Sequence, residues 1–231
     1  MSLFAIADLH LSFSSQKPMD VFHGWENYTN RIEENWKKLV SKEDTVVIAG
    51  DISWAMRLED CVPDFEYIHR LPGKKLILKG NHDYWWTTKR KMDNFLADNG
   101  FDDIEIIHNN AKFVEDIAVC GTRGWMYNSE TDEDKKIMNR EVGRLEASIL
   151  EAKKADKKPI VFLHYPPVYD TFISRDIIDT LKKHDIKDCY YGHIHGSMAS
   201  KKIITGDFEG IDMHLIACDF LKFIPQLVQK G

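Results

Sequence analysis

The chain has 231 residues, 43% hydrophobic and 29% charged, with a net charge of −6. That balance fits a soluble globular protein with a sizeable core. No apolar run approaches the ~20 residues of a membrane span, no signal-peptide pattern opens the chain, and no basic tract supports general nucleic-acid binding, so a cytoplasmic protein is the expectation. Cys61, Cys120, Cys189 and Cys218 are widely spaced with no CxxC pair, which reads as reduced buried thiols and not as a disulfide or zinc framework.

In chain order, Leu3 to Ala7 is apolar throughout and predicts a strand buried on both faces. Asp8 to Gly24 reads as loop. Trp25 to Val40 carries Tyr28, Ile32, Trp36 and Leu39 at helical spacing. Thr45 to Ala49 is a second strand. Glu59 to Leu71 is a short helix stopped by Pro72-Gly73, and Lys75 to Lys79 is a third strand. Thr87 or Thr88 is placed to cap a helix running through Asn99, with Gly100 just past its end. The rhythm then changes. Ile104 to Ile107, Lys112 to Val114 and Ile117 to Cys120 read as a meander of short strands. Asp132 to Lys154 predicts a long helix, Pro159 to Leu163 a strand and Asp176 to His184 a helix. Cys189 to Tyr191, Lys202 to Ile204 and Met213 to Ala217 return to strands, and a short tail follows from Phe220. One layered α/β domain over residues 1–231, with a mixed central core, fits this order.

Several of the strands end in the same way. Asp8-Leu9-His10 follows the first, Gly50-Asp51 the second, Gly80-Asn81-His82-Asp83 the third. His164 follows Pro159 to Leu163, and Gly192-His193-Ile194-His195 follows Cys189 to Tyr191. In an open α/β sheet such ends meet at one edge. Asp, His and Asn offer the oxygen and nitrogen donors that suit Mn, Fe or Zn. Asp8 and His10, two residues apart, would point to one side of a regular strand and share an ion, and His193 with His195 would do the same. Asp51 has two oxygens with which to bridge two cations, and Asn81 ligates without adding charge. A metal pair of this kind hydrolyses phosphoesters. His82 stands beside a ligand and is the candidate proton donor; Asp83 is the candidate for fixing its tautomer.

Other residues take plainer readings. His23, His69, His108, His184 and His214 read as surface or satisfied core. Tyr84, Trp85 and Trp86 read as packing, with an aromatic wall for a nucleobase or aryl ester as the alternative. Arg123, in Gly121-Thr122-Arg123-Gly124-Trp125, is the best candidate for an added phosphate clamp, set against structural pairing with a surface carboxylate.

Taken together and in order, Asp8-x-His10, Gly50-Asp51, Gly80-Asn81-His82-Asp83, His164 and Gly192-His193-x-His195 resemble the full motif set of the calcineurin-like metallophosphoesterases. The resemblance implies a four-layer αββα sandwich of mixed β-sheets with a dinuclear metal site at the C-terminal edge of the strands. It implies a metal-dependent phosphoric ester hydrolase, a phosphodiesterase or phosphatase working by attack of a metal-activated hydroxide. The substrate would be a small phosphorylated molecule or a phosphoprotein. It assigns Asp8, His10 and His195 to the first of two Mn, Fe or Zn ions, Asn81, His164 and His193 to the second, and Asp51 to the bridge. His82 would donate the proton or stabilise the leaving group, with Asp83 behind it. Ile52-Ser53-Trp54-Ala55 stands where many relatives are more polar, which leaves the substrate class open. The alternative of another class is a metal-binding scaffold for protein partners, without catalysis; retention of every ligand and of His82 argues against it.

Overall fold

A computed structural model describes residues 1–126 and 131–231. The short apolar runs become strands buried on both faces: β1 (Leu3–Ile6), β2 (Thr45–Ala49) and β3 (Lys74–Leu78), joined by helices α1 (Tyr28–Leu39) and α2 (Val62–Arg70). α1 buries Tyr28, Ile32 and Trp36, one residue per turn on one face. Helix α3 (Lys89–Asp98) starts where Thr88 accepts the Lys91 N–H at 3.4 Å, a cap typically worth ~1 kcal/mol. It leads to β4 (Ile104–Ile106). Next come β5 (Lys112–Val114), β6 (Ile117–Thr122), α4 (Asp132–Lys154) and β7 (Lys158–Leu163). A small hairpin, β8 (Val168–Tyr169) and β9 (Phe172–Ile173), precedes α5 (Arg175–Lys183) and β10 (Asp188–Tyr191). The chain finishes with α6 (Ser197–Ser200), β11 (Gly206–Phe208), β12 (Ile211–Leu215) and β13 (Gln226–Gln229).

The strands form two large sheets, β13-β1-β2-β3-β4 and β11-β12-β10-β7-β6-β5. β1 to β4 run parallel in the first, and β6, β7, β10 and β12 run parallel in the second. Alternation of side chains along each strand decides the layers. Phe4, Ile6, Val46, Ile48 and Ile77 pack outward with Ile32, Trp36, Phe65 and Leu96 of α1 to α3. Cys120, Val161, Leu163 and Cys189 pack outward with Leu145, Ile149 and Ile178 of α4 and α5. The opposite faces, Ala5, Val47 and Leu76 from one sheet and Val119, Ile160 and Phe162 from the other, close on each other. The result is helix, sheet, sheet, helix, the αββα sandwich that the motifs implied. All four cysteines are unpaired and buried. Among the described residues no helix is long and apolar enough to cross a membrane.

The meander expected from residue 104 onward does not form. β4 pairs parallel with β3 in the first sheet, because α3 acts as a crossover helix, whereas β5 and β6 make a hairpin in the second. The Asn109-Asn110 turn therefore carries the chain between sheets, with Asn109 in a left-handed conformation (φ 61°). Lys202 to Ile204 contributes only an isolated bridge from Ile203 to Tyr169; the strand in that region is β11. The tail holds β13, which lines β1 in antiparallel fashion.

Candidate metal centre

The parallel strands put their C-terminal ends at one edge of each sheet, and the sequence motifs follow directly: Asp8 and His10 after β1, Asp51 after β2, Asn81 and His82 after β3, His164 after β7, His193 and His195 after β10. Two groups result. Ligand-type atoms of Asp8, His10 and His195 lie within 4.8 Å of one another, and so do those of Asp51, His164 and His193. The groups touch: His10 Nε2 is 3.7 Å from Asp51 Oδ2, and His164 Nδ1 is 3.8 Å from Asp8 Oδ1. Asn81 belongs to the second group, its Oδ1 lying 2.6 Å from His164 Nε2 and 2.8 Å from His193 Nδ1.

Strand alternation does not produce this convergence. β1 ends at Ile6 and the chain then turns: Asp8 (φ 63°), His10 (46°), Asp51 (51°) and His193 (74°) all take left-handed backbone conformations. His193 and His195 accordingly part company, one in each group, which is the division the family resemblance implies and not the shared ion expected from strand alternation. Hydrogen bonds hold these turns. Asp8 N–H donates to the Gly50 carbonyl and His10 N–H to that of Asp51, each at 2.9 Å, and the Asp8 carboxylate accepts the His193 N–H at 2.9 and 3.0 Å. Two glycines are required by closeness. A Cβ on Gly80 would collide with Asp51 N and Oδ1, and one on Gly192 with Asp8 Oδ2.

Two sheets in an αββα sandwich, bearing this donor set at one edge, are the arrangement that family comparison recognises: the sequence matches the model of the calcineurin-like phosphoesterases over residues 1–197. The chain belongs to the calcineurin-like phosphoesterase family. Curated proteins include no match to it. Among solved structures it is similar in fold to a phosphopantetheinyl hydrolase from Mycobacterium tuberculosis, at 13% identity and a TM-score of 0.57, covering 100% of this chain and 96% of that one. It is also similar to a purple acid phosphatase from yellow lupin seeds, at 12% identity and a TM-score of 0.52, covering 100% of this chain but 46% of that one.

Within this phosphoesterase the charges are concentrated and dry. Asp8, Asp51 and Asp83 are all buried, and among the described residues no Lys or Arg lies within ion-pair distance of any of them. Burial, with Asp8 and Asp83 nearby, drives the Asp51 carboxyl upward. Burial pulls His164 and His193 down to about 3. Burial opposes charge on His195 too, but Asp8 and Asp219 on either side hold it up at about 10. Asp219, whose Oδ1 is 2.9 Å from His195 Nδ1, went unread in the sequence. It stands beyond the end of β12, whose alternating Ile-Asp-Met-His-Leu lacks the apolar run that marks the other strand ends.

Asp83 does not do what was expected of it. Its oxygens accept backbone N–H groups from Asp51 (3.0 Å), Ile52 (2.8 Å), Ser53 (3.3 Å) and Gly80 (2.7 Å). The buried Nδ1 of His82 has no hydrogen-bond partner. Asp83 thus ties the end of β2 to that of β3, and a carboxylate fully engaged with four amides has no oxygen to spare for the ring. His82 is set instead by aromatic contact: Trp54 lies 4.5 Å from its ring and stacks on His10 at 4.9 Å. Trp54 was another residue missed as functional, though Ile52-Ser53-Trp54-Ala55 had marked the segment as unusually apolar. Trp85 is buried core, Trp86 half-buried and Tyr84 exposed. His23 is exposed beside Glu26. Arg123 bonds to no side chain of the two groups. Its carbonyl accepts the N–H of His164 (3.1 Å) and of Tyr165 (2.9 Å), and its guanidinium lies 4.8 Å over the Trp125 ring.

Proposed function

We propose that the chain hydrolyses esters of small phosphorylated molecules with two Mn, Fe or Zn ions. Asp8, His10 and His195 would hold one ion, Asn81, His164 and His193 the other, and Asp51 would reach both. One observation carries this reading. His164 donates Nδ1–H to the Ala49 carbonyl at 3.1 Å, so its Nε2 carries a lone pair, yet that atom faces the Asn81 side-chain oxygen at 2.6 Å. With imidazolium disfavoured by burial, a cation is the group that reconciles two electron-pair donors at this distance. The same cation offsets the buried carboxylates, which lack other counter-charges.

When bound, such a pair supplies Lewis acidity toward phosphoryl oxygens and a nucleophile drawn from water. The chain's own residues do the rest. Asp83 and Gly80 keep the ends of β2 and β3 in register, so that Asp51 and Asn81 meet. Trp54 walls the pocket beside His10 and excludes water. His82 carries the proton for the departing oxygen; burial lowers its pKa, which strengthens the imidazolium as an acid while reducing how much of it is present near neutrality.

The test is hydrolysis of a chromogenic phosphomonoester and a chromogenic phosphodiester by the purified protein with Mn²⁺. Turnover of at least one, abolished by chelation and restored by Mn²⁺, is expected. Absence of turnover from protein shown to contain two ions per chain would replace the hydrolase with a non-catalytic metal-binding scaffold.

A further inference from the structure

Beside the metal centre lies a cavity of about 230 Å³ whose chemistry is opposite to it, lined by Lys79, Trp86, His108, Arg123, Glu141 and Arg144 among others. We infer that this cavity is a subsite for a second phosphate, so that the preferred substrates are small molecules carrying one phosphate besides the ester that is cleaved. The inference rests on the hydrolase reading above and adds the substrate class to it.

The lining of the cavity is joined to the metal centre through the backbone. Lys79 immediately precedes Gly80-Asn81-His82, and the Arg123 backbone holds His164 and Tyr165 in place. The balance of charge is local and unusual. The chain as a whole carries −6, but here three permanent cations face one acid. That acid, Glu141, is already engaged by Arg144 at 2.7 Å and by the Thr122 hydroxyl. Among the described residues Lys79 and Arg123 have no carboxylate within ion-pair distance. The Nε of Arg123 is buried without any acceptor, an unsatisfied donor of a kind that folded proteins rarely leave. Phosphate oxygens would instead pair with the outer guanidinium nitrogens, which no carboxylate among the described residues holds, since guanidinium and phosphate form paired, charge-assisted bonds. Lys79 and Arg144 add point charges suited to a dianion, and Trp86 gives an apolar wall for the carrier. The volume, equal to roughly seven waters, admits a phosphoryl group with part of what bears it.

The experiment is competition against nitrophenyl phosphate hydrolysis in Mn²⁺. The probes are alkanediol bisphosphates of graded length, the matching alkyl monophosphates and ω-carboxyalkyl phosphates. At least one bisphosphate should inhibit about tenfold more strongly than its monophosphate, the size of one charge-assisted hydrogen bond. In Lys79→Met and Arg144→Met that ratio, read within each variant, should fall to near one. Arg123→Lys, which keeps the charge, should retain part of it. Calorimetric titration of the same pairs gives the ratio independently of turnover. Protein that hydrolyses nitrophenyl phosphate but shows no bisphosphate preference overturns the subsite alone, and equal preference for the ω-carboxylate overturns its assignment to phosphate. Protein that selects the bisphosphate by calorimetry yet cleaves no ester overturns the hydrolase and leaves the subsite standing.

Discussion

In the group of Asp8, His10 and His195, one imidazole is pinned by a carboxylate: Asp219 takes the far nitrogen of His195. In the group of Asp51, His164 and His193, the outer nitrogen of His164 rests on a neutral oxygen, the Ala49 carbonyl. The residue types are nearly the same, but the surroundings are not. A carboxylate behind a histidine makes it a stronger donor, whereas a carbonyl fixes orientation with less gain in basicity. The two positions should therefore differ in how firmly they keep a cation, with the Asp8 group the firmer.

The largest effect should come from the residue that belongs to neither side alone. Asp51 lies 3.7 Å from His10 and 3.5 Å from His164, so Asp51→Asn should empty both positions and abolish turnover. Elemental analysis showing two ions in that variant would remove the shared role. His82→Ala should lower kcat by ~10²–10⁴ while metal content stays at the wild-type value, since His82 supplies acid–base help and not a ligand; unchanged kcat would strike it from the mechanism. Asp219→Asn should weaken metal binding at the Asp8 group by ~10–100-fold and spare the other. Graded chelation then reads the comparison directly: the unaltered protein gives up its Asp51-side ion first, and the variant narrows or reverses that order. The smallest effect concerns Asp83. In Asp83→Asn at least one of the four amide donors loses its acceptor at ~1–3 kcal/mol, enough to lower Tm by about 2–12 °C in a chain of this size. The pH profile of kcat should not move, and a shifted alkaline limb, where the imidazolium of His82 loses its proton, would return Asp83 to the role of tuning His82.

Much of this was legible in the chain because the informative strands are buried on both faces. Leu3 to Ile6, Thr45 to Ala49 and Lys158 to Leu163 are short, nearly uninterrupted apolar runs, and a polar residue directly after such a run is conspicuous. Asp8, Asp51, Asn81, His164 and His195 all stand out in this way. Less visible was whatever depends on turning. A period of two assigns His193 and His195 to one side, but φ of 74° at His193 sends them to different groups. Asp83 reads as a partner for the next imidazole because sequence shows neighbours, not the amides of Asp51 to Ser53 brought in from another strand. β13 escaped notice because an edge strand half open to solvent has no apolar run to show, and Asp219 because β12, with Asp212 and His214 alternating among its apolar residues, gives no uninterrupted apolar run to point at the acid behind it.

The left-handed turns at Asp8, His10, Asp51 and His193 carry one more implication. Side chains with a Cβ occupy such backbone states at an energetic penalty, heavier for histidine than for aspartate, and of order 1–3 kcal/mol where the region is sparsely populated. Glycine would sit there more comfortably. Replacing His10 or His193 by glycine would relieve that penalty but also remove a packed ring, since His10 stacks on Trp54 at 4.9 Å and His193 lies 4.4 Å from the Tyr165 ring. The metal-free chain should thus gain no heat resistance while losing its capacity to bind metal.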